Sequence, residues 1–336
     1  MKLRKLHLAL VAIGLVALPF LGACGGDDDS SKPAPTKAAA SSPAAGTSSP
    51  VAAAAYPVTV TDLLGRKVEI KAKPKTVVGL SPSAVEFVYA AGGTVVGRTS
   101  SVDFPEAAKQ AKDVGSAYQP NMEAILALKP DLIVGDSIIA AQPSLRKPLE
   151  ESGILVIFAG ADSYQKVLDG LALMGKVFDA KAATDKLAAE IAKARDDAKA
   201  AVAGKTVSAL AMLSDQNKVL YGAKTNSYPG DILQQMGINN PAANLPDAGP
   251  FPGYTTLAPE KIIEFNPDFI FTISPAPAPA PKLSTTLPQV PPFKGLKALT
   301  TPGHLVEAPV ELLQAPGPRI IESFKAIAAA VAGAKN

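Results

Sequence analysis

Glu123 and Glu260 open two versions of one phrase. The first is EAILALKPDLIV, residues 123–134, and the second is EKIIEFNPDFIF, residues 260–271. They align without a gap. Ile125 falls on Ile262, Leu128 on Phe265, Pro130-Asp131 on Pro267-Asp268 and Ile133 on Ile270. A single carboxylate in a helix's first turn is favoured by the macrodipole alone. A matched pair, each ahead of a proline and an apolar strand, points to two related α/β lobes that share one task.

The other side chains able to do chemistry narrow that task. Cys24 is the only cysteine, so no intramolecular disulfide can form and the folded part has no thiol chemistry. The two histidines are His7, near the N-terminus, and His304. Capture of bare zinc or manganese ordinarily uses several histidines with carboxylates, so a direct metal site is not expected. No G-x-G-x-x-G follows a strand and no G-x-S-x-G occurs, which leaves dinucleotide and serine-hydrolase chemistry without support. No cofactor is expected and no residue is assigned a catalytic role. Ligands of open α/β sheets sit beyond the carboxyl ends of the strands. Those ends offer Ser81 and Ser83, then Arg98, then Tyr118 and Gln119 in the first half. Asp215, Tyr228 and Tyr254 are the comparable residues in the second half. Arg98 can pair with an anionic chelate and tyrosine rings can lie on a flat one. The alternatives are an Arg98–Asp103 salt bridge and tyrosines that cap the core.

The elements that position these residues follow from the pattern. VTVTDLLGRKVEI predicts a hairpin, TVVGL a buried strand, and SPSAVEFVYAAGG a helix with a Ser83–Glu86 capping box, ended by Gly92-Gly93. Strand and helix then alternate, which predicts mostly parallel sheets. From Ser163 to Ala203 no strand signal appears, and LAAEIAKARDDAKAAVAG reads as a long bridging helix closed by Gly204. Alternation resumes as far as a final helix from Pro318 to Ala332. The Pro-Ala run at 275–281 is stiff and extended, one lip of a cleft or a plain solvated insertion. The expected division is 56–162 for the first lobe, 163–204 for the helical linker and 205–336 for the second lobe.

The N-terminus reads differently. Lys2, Arg4 and Lys5 precede an apolar run, Leu8 to Phe20, too short for a membrane span of roughly 20 residues. Residues 1–23 therefore read as a signal peptide, and Leu21-Gly22-Ala23-Cys24 resembles the lipobox of bacterial lipoproteins. Cys24 would be the lipidated residue, and several acyl chains would hold the protein stably on a membrane. Residues 24–55, rich in Gly, Ser, Pro and Ala, read as a disordered tether with a reach on the order of 30 Å. The chain has 33 basic and 30 acidic residues. The three basic residues of the leader account for the excess, so the mature protein is neutral and nucleic acid is not an expected partner.

Taken in order behind the lipobox, VVGLSPSAVEFVYAAGG, VGSAYQPNMEAILALKPDLIVG, LAPEKIIEFNPDFIF and LLQAPGPRIIESF carry a family resemblance. From about Tyr56 onward the chain resembles the substrate-binding lipoproteins of ABC importers for ferric siderophores, cobalamin and haem. The resemblance implies two Rossmann-like lobes joined by a single long helix, with the ligand cleft between them. It implies a monomer on the extracytoplasmic face of the cell membrane, whose partners are an ABC importer's permease dimer with its ATPase and a small-molecule metal chelate. It also implies that Glu123 and Glu260 dock with arginines on the permease. Ser116 follows Gly115 where the family's haem carriers place a tyrosine, and the chain has no Trp, which the cobalamin binders favour. A ferric siderophore stands first among the ligands, with cobalamin or haem as the alternative. A tethered sensor, adhesin or enzyme on the same scaffold is the alternative of another class.

Overall fold

The computed structural model describes residues 56–160, 162–274, 279–309 and 315–333. Cys24, the leader, the tether and residues 275–278 of the Pro-Ala run lie outside the described residues.

The chain opens on an antiparallel hairpin, β1 (Val58–Thr61) and β2 (Lys67–Ile70), with Val58 opposite Ile70 and Val60 opposite Val68. Asp62 closes the turn by accepting the Leu64 and Arg66 amides at 3.0 Å each. The first sheet holds β3 (Val77–Gly79), β4 (Gly97–Arg98) and β5 (Lys112–Asp113). Between β3 and β4 runs α1 (Pro82–Ala90), and after β5 comes a small hairpin, β6 (Gly115–Ser116) and β7 (Gln119–Pro120). Next follow α2 (Met122–Ala127), β8 (Leu132–Gly135), α3 (Ser137–Ala141), α4 (Pro143–Glu151) and β9 (Val156–Phe158). The order β5-β4-β3-β8-β9 is parallel throughout, as the alternation predicts.

Two helices follow, α5 (Tyr164–Val177) and the 22-residue α6 (Lys181–Val202), about 33 Å long. Ser163 caps α5, its side chain accepting the Lys166 amide. The solvent face of α6 carries the i,i+4 pairs Lys181–Asp185 and Lys193–Asp197. Thr184, Ile191, Ala194, Ala198 and Val202 form its buried stripe. Gly204, at φ 78°, ends the unit in the left-handed conformation that glycine adopts without penalty.

The second sheet departs from expectation. Its strands are β10 (Ala209–Ser214), β11 (Leu220–Ala223), β12 (Tyr254–Thr256), β13 (Phe269–Ile273) and β14 (Leu305–Ala308), in the order β12-β11-β10-β13-β14. β10, β13 and β14 are parallel, but β11 runs antiparallel to both neighbours, so this sheet is mixed. The cause is local. The Asp215 carboxylate accepts the Asn217 and Val219 amides at 2.9 Å each, and Lys218 sits at φ 62°. The chain therefore reverses after β10 instead of crossing over through a helix. α7 (Tyr228–Gln235), α8 (Pro259–Phe265), the short α9 (Leu283–Thr286) and α10 (Lys297–Thr300), and α11 (Ile320–Gly333) complete this half.

The repeated phrase is a repeated structure. Ile125 and Ile262 are fully buried, Pro130 and Pro267 are buried, and Glu123 and Glu260 are exposed. Both helices end on a residue in the left-handed region, Lys129 at φ 46° and Asn266 at φ 39°. Asp131 then accepts the Lys75 and Thr76 amides at 2.8 and 3.0 Å. Asp268 likewise accepts the Ser208 amide and hydroxyl at 2.8 and 2.9 Å. Each phrase is thus stapled to the residues that lead into the central strand of its own sheet. A single apolar core joins α1, α5, α6, α7 and α11 with one face of each sheet, while the opposite faces have separate clusters of their own.

Candidate functional site

The sequence rule places a ligand beyond the carboxyl ends of the parallel strands, and the structure turns those ends toward one another. Glu86 lies on α1, directly after β3, and is only 3% exposed. Arg319, just ahead of α11 in the other half, donates Nε to Glu86 Oε1 at 2.8 Å, and its Nη2 lies 2.7 Å from the same oxygen. The Arg319 guanidinium also stacks 4.8 Å over the ring of Phe104. Gly317 completes the approach: a Cβ there would stand 3.2 Å from Glu86 Oε2 and 3.5 Å from Ser83. Burial pushes the Glu86 carboxyl above its ordinary range against the opposing pull of Arg319. Tyr228, at the start of α7, is buried against the same cluster, and that burial raises its phenol further. A second tie lies nearby. The Tyr164 amide donates to Asp231 Oδ2 at 2.6 Å, and Arg195 covers the Tyr164 ring at 4.8 Å.

On the first lobe, Arg98 ends β4. Its Nη1 donates to the Thr99 carbonyl at 3.1 Å and lies 3.9 Å from Asp113, not beside Asp103 as the sequence allowed. Arg98 Nε and Thr99 Oγ1 are buried without a hydrogen-bond partner among the described residues. Tyr118, at the tip of the β6–β7 hairpin, is 64% exposed, and Gln119 beside it is also exposed. That hairpin requires Gly115: its φ is 94°, and a Cβ would meet the Gln119 carbonyl oxygen at 2.8 Å.

On the second lobe, Phe251 stands edge-on to Tyr221 with centroids 5.0 Å apart, and 6.5 Å from Tyr254. The Tyr221 hydroxyl donates to Asp215 at 3.0 Å. Lys224, largely buried at the end of β11, is paired with the exposed Asp247. Its amide donates to the Gly253 carbonyl, which ties this loop to the start of β12.

The candidates therefore separate. Arg98, Tyr118 and Gln119 remain open to a ligand. Ser81 and Ser83 are buried with their hydroxyls 3.2 Å apart, and Ser81 rather than Ser83 caps α1 by accepting the Ala84 amide. The expected Ser83–Glu86 capping box does not form, because the helix starts earlier, at Pro82, with Ser81 as its cap, and the Glu86 carboxylate pairs with Arg319 instead. Asp215 braces its hairpin, and Tyr228 and Tyr254 belong to the core. Sequence reasoning missed Phe104, Phe251 and the Glu86–Arg319 pair. Helical periodicity explains Glu86 as a capping residue, and nothing local marks its partner 233 residues away. Glu123 and Glu260 make no ion pair among the described residues. No group of three His, Cys, Asp or Glu able to hold a metal occurs among the described residues, nor a helix long and apolar enough to cross a membrane.

Two α/β lobes with facing strand ends, bridged by a continuous helix, define the two-lobed solute-binding class. Residues 77–289 match the periplasmic binding protein family, and the chain belongs to it. An ABC transporter substrate-binding lipoprotein of Bacillus subtilis, YvrC, is 26% identical over 82% of this chain and 86% of its own length. A cobalamin-binding protein of Halobacterium salinarum is 28% identical over 88% of this chain and 79% of its own. Among solved structures, the siderophore-binding protein BauB, bound to ferric acinetobactin, aligns with a TM-score of 0.69 at 20% identity. It covers 82% of this chain and 98% of its own.

Proposed function

We propose that this protein is anchored through Cys24 on the extracytoplasmic face of the cell membrane, captures a ferric siderophore between its lobes and delivers it to an ABC importer. The observation that carries delivery is the matched pair Glu123 and Glu260. Both are exposed, both lack an ion pair among the described residues, and both sit on the same repeated scaffold in separate lobes. Arginines of a dimeric permease would grip them bidentately. Arg98, Tyr118 and Gln119 are the proposed ligand contacts, with Phe104 and Phe251 as aromatic walls. The relative YfiY of Bacillus subtilis, a probable siderophore-binding lipoprotein 28% identical over 70% of this chain, and the absence of Trp in the sequence favour the siderophore. The cobalamin-binding relative keeps a corrinoid as the second reading.

The test is thermal unfolding of the soluble form lacking residues 1–45 against ferric hydroxamates, ferric catecholates, haemin and cobalamin. A ligand present at 100 times its Kd adds about 2.7 kcal/mol of stability, a shift of several degrees. A hit by a ferric siderophore that Arg98→Gln weakens supports the reading. A hit by cobalamin alone replaces it. Uptake unchanged in Glu123→Ala plus Glu260→Ala would remove the docking role.

A further inference from the structure

Few large apolar side chains are exposed among the described residues: Leu64, Phe104, Tyr118, Leu126, Phe251 and Ile263. Two of them, Leu126 and Ile263, occupy one position of the repeated phrase, three residues after Glu123 and Glu260 respectively. Leu126 is 46% exposed and Ile263 42%. Residues three apart on a helix share a face, so each lobe presents a carboxylate with an apolar side chain one turn beyond it. The next residue inward, Ile125 or Ile262, is fully buried. The helix therefore cannot roll to hide its outer apolar residue without pulling that anchor from the core. Further along, the Asp131 and Asp268 staples and the left-handed residues Lys129 and Asn266 fix both helices in the same way.

We infer that Leu126 and Ile263 are apolar anchors of the docking surface, seated in two equivalent depressions of the importer's permease dimer beside the arginines that take Glu123 and Glu260. The inference rests on the docking reading proposed above and adds a component to it. The partner is identified by the repetition. Two copies of one acidic-apolar element, one per lobe, match a receptor that itself presents two like halves. A membrane surface offers no such doubled cationic and apolar recess, and an anionic one would repel both carboxylates. Interfaces draw much of their affinity from a few apolar or aromatic side chains seated in desolvated pockets, while charged groups there set approach and register. Docking by glutamates alone leaves two exposed aliphatic side chains at matched positions without a purpose.

The test uses the full-length lipoprotein in its own cells. A photo-reactive p-benzoylphenylalanine replaces Leu126, Ile263, Glu123 or Glu260, one at a time, and adducts are identified by mass spectrometry. The expected result is adducts to the permease chains from all four positions. Vesicles containing that permease then receive purified Leu126→Ser plus Ile263→Ser protein. Its half-saturating concentration should rise at least tenfold, while its melting temperature and siderophore-induced shift stay those of the parent. Adducts from 123 and 260 but only lipid or nothing from 126 and 263 would overturn the inference and leave the docking reading in place. So would permease adducts from all four positions followed by unchanged vesicle binding of the double variant. No permease adduct from any of the four positions would overturn both.

Discussion

Replacing Arg319 by methionine probes the contact that joins the two lobes. The side chains of the Glu86–Arg319 pair are 2% and 12% exposed. Removing one partner of a buried pair strands the other charge and costs about 3–5 kcal/mol. Loss of the guanidinium from the Phe104 ring adds about 0.5–1 kcal/mol. Arg319→Met should therefore lower stability by about 4 kcal/mol, a large share of the roughly 5–15 kcal/mol available to a folded protein. Adding Glu86→Met removes the stranded carboxylate. Apolar replacement of a whole buried pair is often neutral or better, so the double variant should fall within about 1 kcal/mol of the parent. The assay is urea unfolding at 25 °C for parent, both single variants and the double, read as a thermodynamic cycle in which the double recovers about 3 kcal/mol of the loss seen in Arg319→Met. A cost under about 1 kcal/mol for Arg319→Met, or a double variant no better than the single, would refute this account of the inter-lobe contact.

Other outcomes follow from the geometry. A Cβ at Gly170 of α5 would stand 2.7 Å from the buried Phe87 ring, so Gly170→Ala should cost about 1–3 kcal/mol in a circular-dichroism melt. Asp268 and Glu307 are partly raised by burial, but Ser208 and Lys297 for the first, and Thr272, Ser274 and Ser284 for the second, hold both below the usual carboxylate range. The stability they contribute is present above their unfolded values near pH ~4 and is lost as pH falls through the lower folded values. Asp268→Asn should weaken the protein at pH 7 and flatten its loss of stability below pH ~4, read from urea midpoints across that range. The continuous α6 and the shared core resist hinging, so X-ray scattering profiles with and without the stabilising siderophore should superimpose, and a large closure would contradict this.

Local chemistry explains what the sequence could reveal. The helix-proline-strand phrase is legible because Pro130 and Pro267, the buried isoleucines and the strand residues each act over a few positions. The long helix is legible for the same reason, from its alanines and its i,i+4 charges. The two-residue strand β5 leaves almost no pattern, since its pairing is set by its neighbour in the sheet. The antiparallel β11 was signalled only by Asp215 and Asn217 in its turn, which alternation counting passes over. At the site, Tyr118 and Gln119 lie exposed in the β6–β7 hairpin and Arg98 is half-buried at the end of β4, so these three stay at the sheet's strand ends that the sequence pointed to. Ser83 and Tyr228 were claimed by the interior because the other lobe comes up against them, at Gly317 and Glu86 respectively, a contact that no stretch of either lobe encodes alone, while Ser81 and Tyr254 are buried within their own halves.

The Glu86–Arg319 contact also bears on how the chain is made. Its members are separated by 233 residues, and the arginine precedes the last helix of the described chain. A ribosome delivers Glu86 long before Arg319 exists. Until synthesis nears its end, the first half therefore carries an acidic group bound for a dry interior with no countercharge. That half cannot settle early into its finished form. Arrival of the last helix then supplies the missing charge and commits both halves at once. A chain cut short before Arg319 should accumulate as a protease-sensitive species, however complete its first sheet.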